Sequence, residues 1–161
     1  MDQPSTPHPR YGVTPVEAAR ALTGLEFMRA IAAGTFPAPP MMQALDYRLT
    51  HVERGIAVFE GTPDGRFLNP LGTVHGGYAA TLLDSCMGCA AHTTLPAGQS
   101  YTTLEIKANF VRALTGKTGP VRAEGKVINA GRTIVTVEGR LVDAAGKLYA
   151  HGTSTCLVLP L

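Results

Sequence analysis

Alternating hydrophobic and polar residues predict a set of β-strands, most of them in the second half of the chain. Between residues 104 and 110, every second residue is apolar and the others are charged or amide residues, as in a strand with one buried face. Turn sequences containing glycine separate several further candidate strands. These strands are residues 44–49, 56–61, 121–129, 133–142 and 147–159.

Two segments have the composition of helices. Thr14-Pro15-Val16-Glu17 has the form of a capping box with proline at the first helical position, and it predicts a helix that continues to Gly34. Residues 75–94 are rich in alanine, leucine and methionine and are apolar on nearly all sides. This pattern predicts a long helix that is buried rather than lying on the surface.

The order of these elements predicts an α+β fold, in which a curved antiparallel sheet wraps around one long central helix. We expect a flexible N-terminal arm over residues 1–13, because this segment is rich in proline, and an accessory helix with a Pro-rich linker over residues 14–40. The main domain is then residues 41–161. The edge strands of such a sheet need cover, which favours pairing with a second subunit.

Composition narrows the possible functions. The chain has 161 residues, of which 45% are hydrophobic and 16% charged, and its net charge is +2. It has no Lys/Arg cluster, so we expect no nucleic-acid partner. No stretch is long and apolar enough for a membrane span, and the N-terminus lacks the apolar segment of a signal peptide. We therefore expect a cytoplasmic protein.

The three cysteines leave two interpretations. Cys86 and Cys89 form a Cys-x-x-Cys pair, and His92 could add a third ligand in a metal or redox site. No second Cys/His pair completes a zinc site, however. The interpretation that we favour is that both cysteines are small buried residues of the helix, with no metal and no cofactor.

The start of the long helix is suited to binding an oxygen atom. The first turn of a helix presents unpaired N–H groups and a partial positive charge, and glycine allows a ligand to approach them closely. His75-Gly76-Gly77 could therefore bind a carbonyl oxygen or an oxyanion. The alternative is that the two glycines only permit close packing of the helix against the sheet.

Asp84 is a single carboxylate within this apolar helix. A buried carboxylate is costly unless it is paired, and such a group is suited to general-base work, although Asp84 could instead face solvent beside Thr81 and Ser85. Asp84 lies eight residues after Gly76, or roughly 12 Å along the helix at about 1.5 Å per residue. If both act on one carbonyl group, they must come from different chains, which predicts a dimer with two interfacial sites.

Several motifs resemble those of the hotdog-fold acyl-CoA thioesterases, in particular the phenylacetate-degradation type. Residues 69–77 read Asn-Pro-Leu-Gly-Thr-Val-His-Gly-Gly, and Leu-Leu-Asp follows at 82–84. The segments 103–112 and 127–132 are also similar to this family. The resemblance extends over roughly residues 46–159.

The resemblance implies roles for the matching residues. The N–H of Gly76 would polarise the thioester carbonyl, and Asp84 of the partner chain would act as the nucleophile or as the base that activates water. Thr103 would position the water or the carboxylate. Asn69 and His75 would orient the thioester and its loop, although His75 could instead serve only as a helix cap.

Strict alternation places Thr103 on the same face as Glu105, whereas Thr102 shares the face of Leu104. A bulge near the start of the strand would bring Thr103 to the helix side, and Thr102 is the alternative.

A further set of residues would bind the CoA part of the substrate. The resemblance assigns Gly77, Asn129, Gly131 and Arg132 to it, with Arg132 near a phosphate and Arg112 as a weaker candidate. A basic hairpin tip is also commonly only a solvated turn.

The implied activity is hydrolysis of an acyl- or aryl-acyl-CoA to the free acid and CoA, in a homodimer that forms a homotetramer as a dimer of dimers. The alternatives are a non-catalytic acyl-CoA-binding protein and an enoyl-thioester hydratase or dehydratase.

Overall fold

The computed structural model describes residues 10–161, so most of the predicted N-terminal arm lies outside the described residues. Four α-helices and one 3-10 turn are present in this part of the chain: α1 Val16–Arg20, α2 Gly24–Ala32, α3 Pro40–Ala44, the 3-10 turn Gly65–Phe67 and α4 Gly76–His92. Six strands accompany them: β1 Tyr47–Glu53, β2 Ile56–Gly61, β3 Gln99–Phe110, β4 Val121–Ala130, β5 Ile134–Asp143 and β6 Leu148–Pro160.

The six strands form one antiparallel sheet in the order β1-β2-β4-β5-β6-β3, and α4 packs against it. Leu82, Leu83 and Met87 of α4 are fully buried, which confirms the predicted central helix and the α+β class. Gly125 of β4 permits close packing, because a Cβ at this position would overlap the carbonyl group of Cys86. None of the helices within residues 10–161 has the length and apolar character needed to cross a membrane.

The N-terminal helix differs from the prediction. The sequence predicts one helix from Thr14 to Gly34, whereas the structure has α1 and α2 with a break between them. Thr14 does not cap α1, whose N-cap is Pro15. The capping box lies instead at Thr23, whose backbone N–H and hydroxyl both donate hydrogen bonds to Glu26, at 2.9 Å and 2.7 Å. This second start signal begins a new helix in the middle of the predicted one.

Helix α2 is attached to the end of α4. The N–H of Gly24 donates a hydrogen bond of 3.0 Å to the carbonyl of Leu95, just beyond α4. A Cβ on Gly24 would overlap the carbonyl group of His92, so glycine is required for this contact. The two helices meet here because residue 24 has no side chain.

The segment before β1 is also partly helical. The sequence predicts a break over residues 36–40 and a strand from residue 44, whereas α3 begins at Pro40 and continues to Ala44. Proline is favoured at the first position of a helix, where its missing N–H would have had no partner. Helix α3 thus crosses the predicted boundary between residues 14–40 and 41–161.

Strand β3 lies at an edge of the sheet and contains a bulge. Its pairing with β6 shifts register between Thr103 and Glu105, so that Leu104 is the extra residue. The prediction that Leu104, Ile106 and Phe110 lie on a buried face is wrong for the single chain, where they are 55%, 37% and 55% exposed. Strand β3 is the outermost strand of the sheet, so these side chains lie away from the central strands that form the core with α4.

Candidate active site

His75 is the N-cap of α4. Its Nδ1 accepts a hydrogen bond of 2.8 Å from the N–H of Gly77. Within one chain, the side chain of His75 therefore acts as a helix cap. A nitrogen that accepts an N–H bond carries no proton, which places the proton of the neutral ring on Nε2. His75 is exposed, and its Nε2–H is therefore available as a donor beside the first turn of the helix.

The N–H of Gly76 has no partner among residues 10–161. The N–H of Gly77 already donates to the side chain of His75. The N–H of Tyr78 donates to the backbone carbonyl of His75 at 3.0 Å. Gly76 is thus the residue of this turn that keeps an unused donor, and it is half-buried. A free N–H at a helix start is the arrangement that binds a carbonyl oxygen or an oxyanion.

The ring of Phe110 lies next to Gly76. Its nearest carbon is 3.4 Å from the point that a Cβ of Gly76 would occupy, which is ordinary contact. An open groove of about 410 Å³ lies beside the same turn, with Phe67, His75, Gly77 and Thr81 among its lining residues. The helix start is thus bordered by an aromatic ring on one side and by an open groove on the other.

Asn69 holds the loop that precedes α4. Its Oδ1 accepts hydrogen bonds from the N–H groups of Leu71 and Thr73, at 2.9 Å and 3.2 Å. Its Nδ2 donates to the hydroxyl of Thr73 at 2.8 Å. All the hydrogen bonds of the Asn69 amide are therefore made within the loop. Such contacts fix the conformation of the loop that leads to His75 and Gly76.

Asp84 lies on the exposed side of α4, two turns beyond Gly76. Its Oδ1 accepts a hydrogen bond of 3.1 Å from the hydroxyl of Thr103, while Thr102 is exposed. The bulge at Leu104 allows the alternation along β3 to restart, so that Thr103 reaches the helix. Within one chain Asp84 and Gly76 remain separate, at roughly 12 Å along the helix axis.

The other polar residues of α4 near Asp84 have internal partners. The Thr81 hydroxyl donates to the carbonyl of Gly77 at 2.8 Å. Ser85 faces inwards and shares a hydrogen bond of 3.0 Å with the hydroxyl of Tyr47. Asp84 is consequently the exposed residue of this short polar segment, and its Oδ2 has no hydrogen-bond partner among residues 10–161.

The two helix cysteines are protected thiols. Cys86 is fully buried, and burial raises the pKa of its thiol far above the usual value. Burial also raises the pKa of Cys89 to about 12. Neither thiol forms a thiolate near neutral pH, and no cluster of three or more possible metal ligands is found within residues 10–161.

Of the four predicted CoA-binding residues, Gly77 lies beside Gly76 in the first turn of α4, whereas the other three lie at the opposite end of this helix. Asn129, Gly131 and Arg132 are exposed at the tip of the β4–β5 hairpin. The tip region of this hairpin is connected to the end of the helix, because the N–H of Val127 donates to the carbonyl of Gly55 at 2.9 Å and the N–H of Gly55 donates to the hydroxyl of Thr93 at 2.7 Å. A single chain therefore does not bring the hairpin to its own helix start.

Two residues near the site were missed by sequence reasoning. Phe110 was assigned only to a strand face, and its contact with Gly76 depends on the register of β3 after the bulge. Tyr101 was not assigned at all, although its ring packs against Gly88 on the same side of β3 as Thr103. The only available signal was strand periodicity, and the extra residue at Leu104 breaks it.

Comparison with known proteins identifies the family. Residues 71–150 match the thioesterase superfamily. A candidate esterase of Saccharolobus solfataricus is 34% identical over 122 residues, which cover 76% of this chain and 85% of the relative. The 1,4-dihydroxy-2-naphthoyl-CoA hydrolase of Escherichia coli is 29% identical over 137 residues, covering 84% of this chain and 94% of the relative.

A solved structure shares the fold over most of the chain. It is a candidate thioesterase of Ralstonia eutropha, described as related to phenylacetic acid degradation, with a TM-score of 0.74 and 28% identity. The match covers 81% of this chain and 98% of that one. The resemblance to hotdog thioesterases is thereby confirmed: the chain belongs to the thioesterase superfamily and is a thioester hydrolase.

Proposed function

We propose that this enzyme hydrolyses acyl-CoA thioesters in a site shared by two chains, with the N–H of Gly76 from one and the carboxylate of Asp84 from the other. The observation that carries the proposal is the free N–H of Gly76, two helical turns from an outward-facing carboxylate held by Thr103. The Escherichia coli relative, named as a hydrolase of an aryl-CoA thioester, supports CoA as the leaving group.

The helix start stabilises the developing charge. As water adds to the thioester, the carbonyl oxygen becomes an oxyanion, and the N–H of Gly76 donates a hydrogen bond to it. The positive end of the α4 dipole acts in the same direction. The Nε2–H of His75 is a second donor at the same turn.

Asp84 activates the water. Thr103 holds Oδ1, so Oδ2 accepts a proton from the water while the water oxygen forms a bond to the thioester carbon. When the tetrahedral intermediate collapses, the C–S bond breaks, the acid is released and the proton is transferred to the CoA sulfur. A thioester has a good leaving group, so a carboxylate, a water and an oxyanion donor suffice for this reaction.

The edge of the sheet supports the two-chain site. Leu104, Ile106 and Phe110 of β3, with Val111 just beyond it, are exposed apolar residues on a strand that has one free edge. Pairing of two β3 strands about a twofold axis would cover these residues and set the two α4 helices antiparallel. Gly76 of one chain would then face Asp84 of the other.

The same arrangement brings the hairpin of one chain near the helix start of the other. Asn129, Gly131 and Arg132 lie at the C-terminal end of α4, which antiparallel packing places next to the partner's Gly76 turn. The guanidinium of Arg132 would bind a phosphate of CoA there. We also propose that two such dimers associate to form a homotetramer.

A thiol-release assay tests the activity. We expect acyl-CoA substrates to yield free CoA, and we expect Asp84→Asn to lower kcat/KM by about 10²-fold or more, the usual range for loss of a general base. Glu138→Gln, which neutralises an exposed carboxylate on β5, is the matched control and should leave kcat/KM unchanged. An unchanged kcat/KM in Asp84→Asn for every substrate contradicts the mechanism.

Two other outcomes identify the alternative functions. Thermal stabilisation by acyl-CoA without release of thiol would show a non-catalytic binding protein. A change in the absorbance of an enoyl-CoA without release of thiol would show a hydratase or dehydratase.

A further inference from the structure

A cavity lies between the N-terminal helices and α4. Its volume is about 200 Å³, and its walls are largely apolar. Helix α2 supplies one wall, while α3, β1 and β2 close the sides. Phe27, Met28 and Ile31 of α2 line one side of it, and Ser85, Cys89 and Tyr101 line the opposite side.

The cavity adjoins the proposed catalytic carboxylate. Ser85, which lines it, is the residue directly after Asp84 on α4. Tyr101, which also lines it, lies two residues before Thr103 on the helix-facing side of β3, and Thr103 is the residue bonded to Asp84. The cavity and the carboxylate are thus neighbours along both the helix and the strand.

We propose that this cavity holds the acyl group of the substrate, and that Phe27, Met28 and Ile31 of α2 limit the size of the acyl groups that the enzyme accepts. The proposal rests on the proposed function, because it assigns a place to the acyl part of the same thioester.

The size of the cavity defines the class of acyl group. An apolar cavity of about 150 Å³ accommodates a benzene molecule, so about 200 Å³ holds one aromatic ring with a short linker to the thioester carbon. Phe27, Tyr47 and Phe59 provide aromatic walls, which favour edge-to-face contacts with a ring. A long fatty acyl chain exceeds this volume.

The charge of the cavity defines the class further. The ring of His92 lines it, 5.4 Å from Phe27 and 5.5 Å from Tyr101 between ring centroids. Burial lowers the pKa of His92, so that the ring is neutral at pH 7. Without a charged side chain on its walls, the cavity favours an uncharged acyl group, because a charged one would lose its hydration without a partner.

Helix α2 is separate from the segment that identifies the family. It covers Gly24–Ala32, whereas the family match begins at residue 71. The residues of α2 can therefore differ in size without any change in Gly76, Asp84 or Thr103. Acyl selectivity would be set by the accessory helix, and the chemistry by α4 and β3.

Changes at one residue of α2 test the proposal. Ile31→Trp should lower kcat/KM for phenylacetyl-CoA at least tenfold relative to acetyl-CoA, because it fills the cavity. Ile31→Ala should raise the ratio of kcat/KM for decanoyl-CoA to that for phenylacetyl-CoA at least tenfold. Arg29→Trp and Arg29→Ala, on the exposed side of the same helix, are the controls. Selectivity ratios that change no more than in these controls overturn the proposal.

Fluorescence provides a test that needs no turnover. The chain contains no tryptophan, so Phe27→Trp places a single tryptophan in the cavity wall, and its indole can be excited at wavelengths that the five tyrosines do not absorb. Phenylacetyl-CoA, but not free CoA, should change its emission, and neither should affect Arg29→Trp. Hydrolysis by Phe27→Trp without such a change would refute the pocket assignment alone. A fluorescence change without hydrolysis in the wild type would support the pocket and refute the catalytic proposal.

Discussion

Thr103 donates a hydrogen bond of 3.1 Å to Oδ1 of Asp84, and a bulge one residue further along β3 makes this contact possible. Without the bulge, Thr103 would share a face with Glu105 and the side chains that point away from the helix. The extra residue, Leu104, divides the strand into two parts. Thr103 in the first part contacts Asp84, and Phe110 in the second part contacts Gly76.

Removal of the Thr103 hydroxyl tests the contact with Asp84. Thr103→Val keeps the shape of the side chain, and we expect kcat/KM to fall about tenfold or more, since a hydrogen bond to a charged group contributes about 1.5–3 kcal/mol. Thr102→Val is the matched control, because Thr102 is the adjacent residue and is exposed on the other face. Equal effects of the two changes in a thiol-release assay would contradict the role of Thr103.

Removal of one N–H tests the oxyanion site. Gly76 is the first residue of α4, where proline is tolerated, and His75 already has an extended conformation with φ −60° and ψ 134°. Gly76→Pro therefore removes the donor while keeping the helix, and we expect kcat/KM to fall about 10²–10³-fold. Gly76→Ala, which adds a Cβ but keeps the N–H, should be much more active. Similar activity of both variants would exclude the N–H as an essential donor.

Mixing two inactive variants tests whether the site is shared. In a mixed dimer of Gly76→Pro and Asp84→Asn, one site carries both defects and the other carries neither. Random exchange of subunits should therefore restore about a quarter of the wild-type activity per chain. The measurement is thiol release after joint unfolding and refolding of the two variants, with each refolded alone as the control. Failure to regain activity, once mixed dimers are detected by mass, would mean that each site lies within one chain.

The two roles of His75 can be separated by substitution. His75→Ala removes the N-cap and should lower the free energy of unfolding by about 1 kcal/mol. His75→Asn keeps a capping oxygen and should retain most of that stability, but it lacks the Nε2–H. If this donor contributes to catalysis, His75→Asn has low kcat/KM with a nearly normal unfolding midpoint. Wild-type kcat/KM in His75→Asn would show that His75 acts only as the cap.

The pH dependence of stability tests the environment of His92. Burial lowers the pKa of His92 in the folded protein below its ordinary value of 6.5. As pH falls below 6.5, the unfolded chain binds a proton that the folded chain does not yet bind, so stability decreases until pH reaches the lower folded-state pKa.

Wild type should therefore lose more stability than His92→Phe in urea unfolding at pH 5.0 compared with pH 7.5. His151→Gln, a change at an exposed histidine, should keep the wild-type difference. An equal loss in wild type and His92→Phe would contradict burial of a neutral ring.

Those parts of the site that depend on local sequence were predictable. The start of α4 and the separation of Gly76 from Asp84 follow from the regular rise of a helix, which needs no tertiary information. The resemblance gave Thr103, although the alternation pattern alone favoured Thr102. The catalytic roles of these residues remain predictions that the experiments above address.

The sequence analysis missed one local signal, and it could not predict the features that depend on contacts between distant segments. Thr23 and Glu26 form a capping box that can be read from the sequence, but the continuous apolar pattern from residue 14 to Gly34 concealed it. The contact of α2 with the end of α4 depends on the fold, and so does the cavity between them. The exposure of Ile106 depends on the order of strands in the sheet, which alternation within one strand does not specify.

Gly24 packs against the backbone carbonyl of His92 without room for a side chain. This close contact affects how the enzyme could acquire new substrates. A side chain at this one position would displace α2 and widen the acyl cavity, while the helix start, the carboxylate and the strand bulge would stay in place. Substrate range could thus broaden through a single codon, far in sequence from every residue that takes part in the reaction.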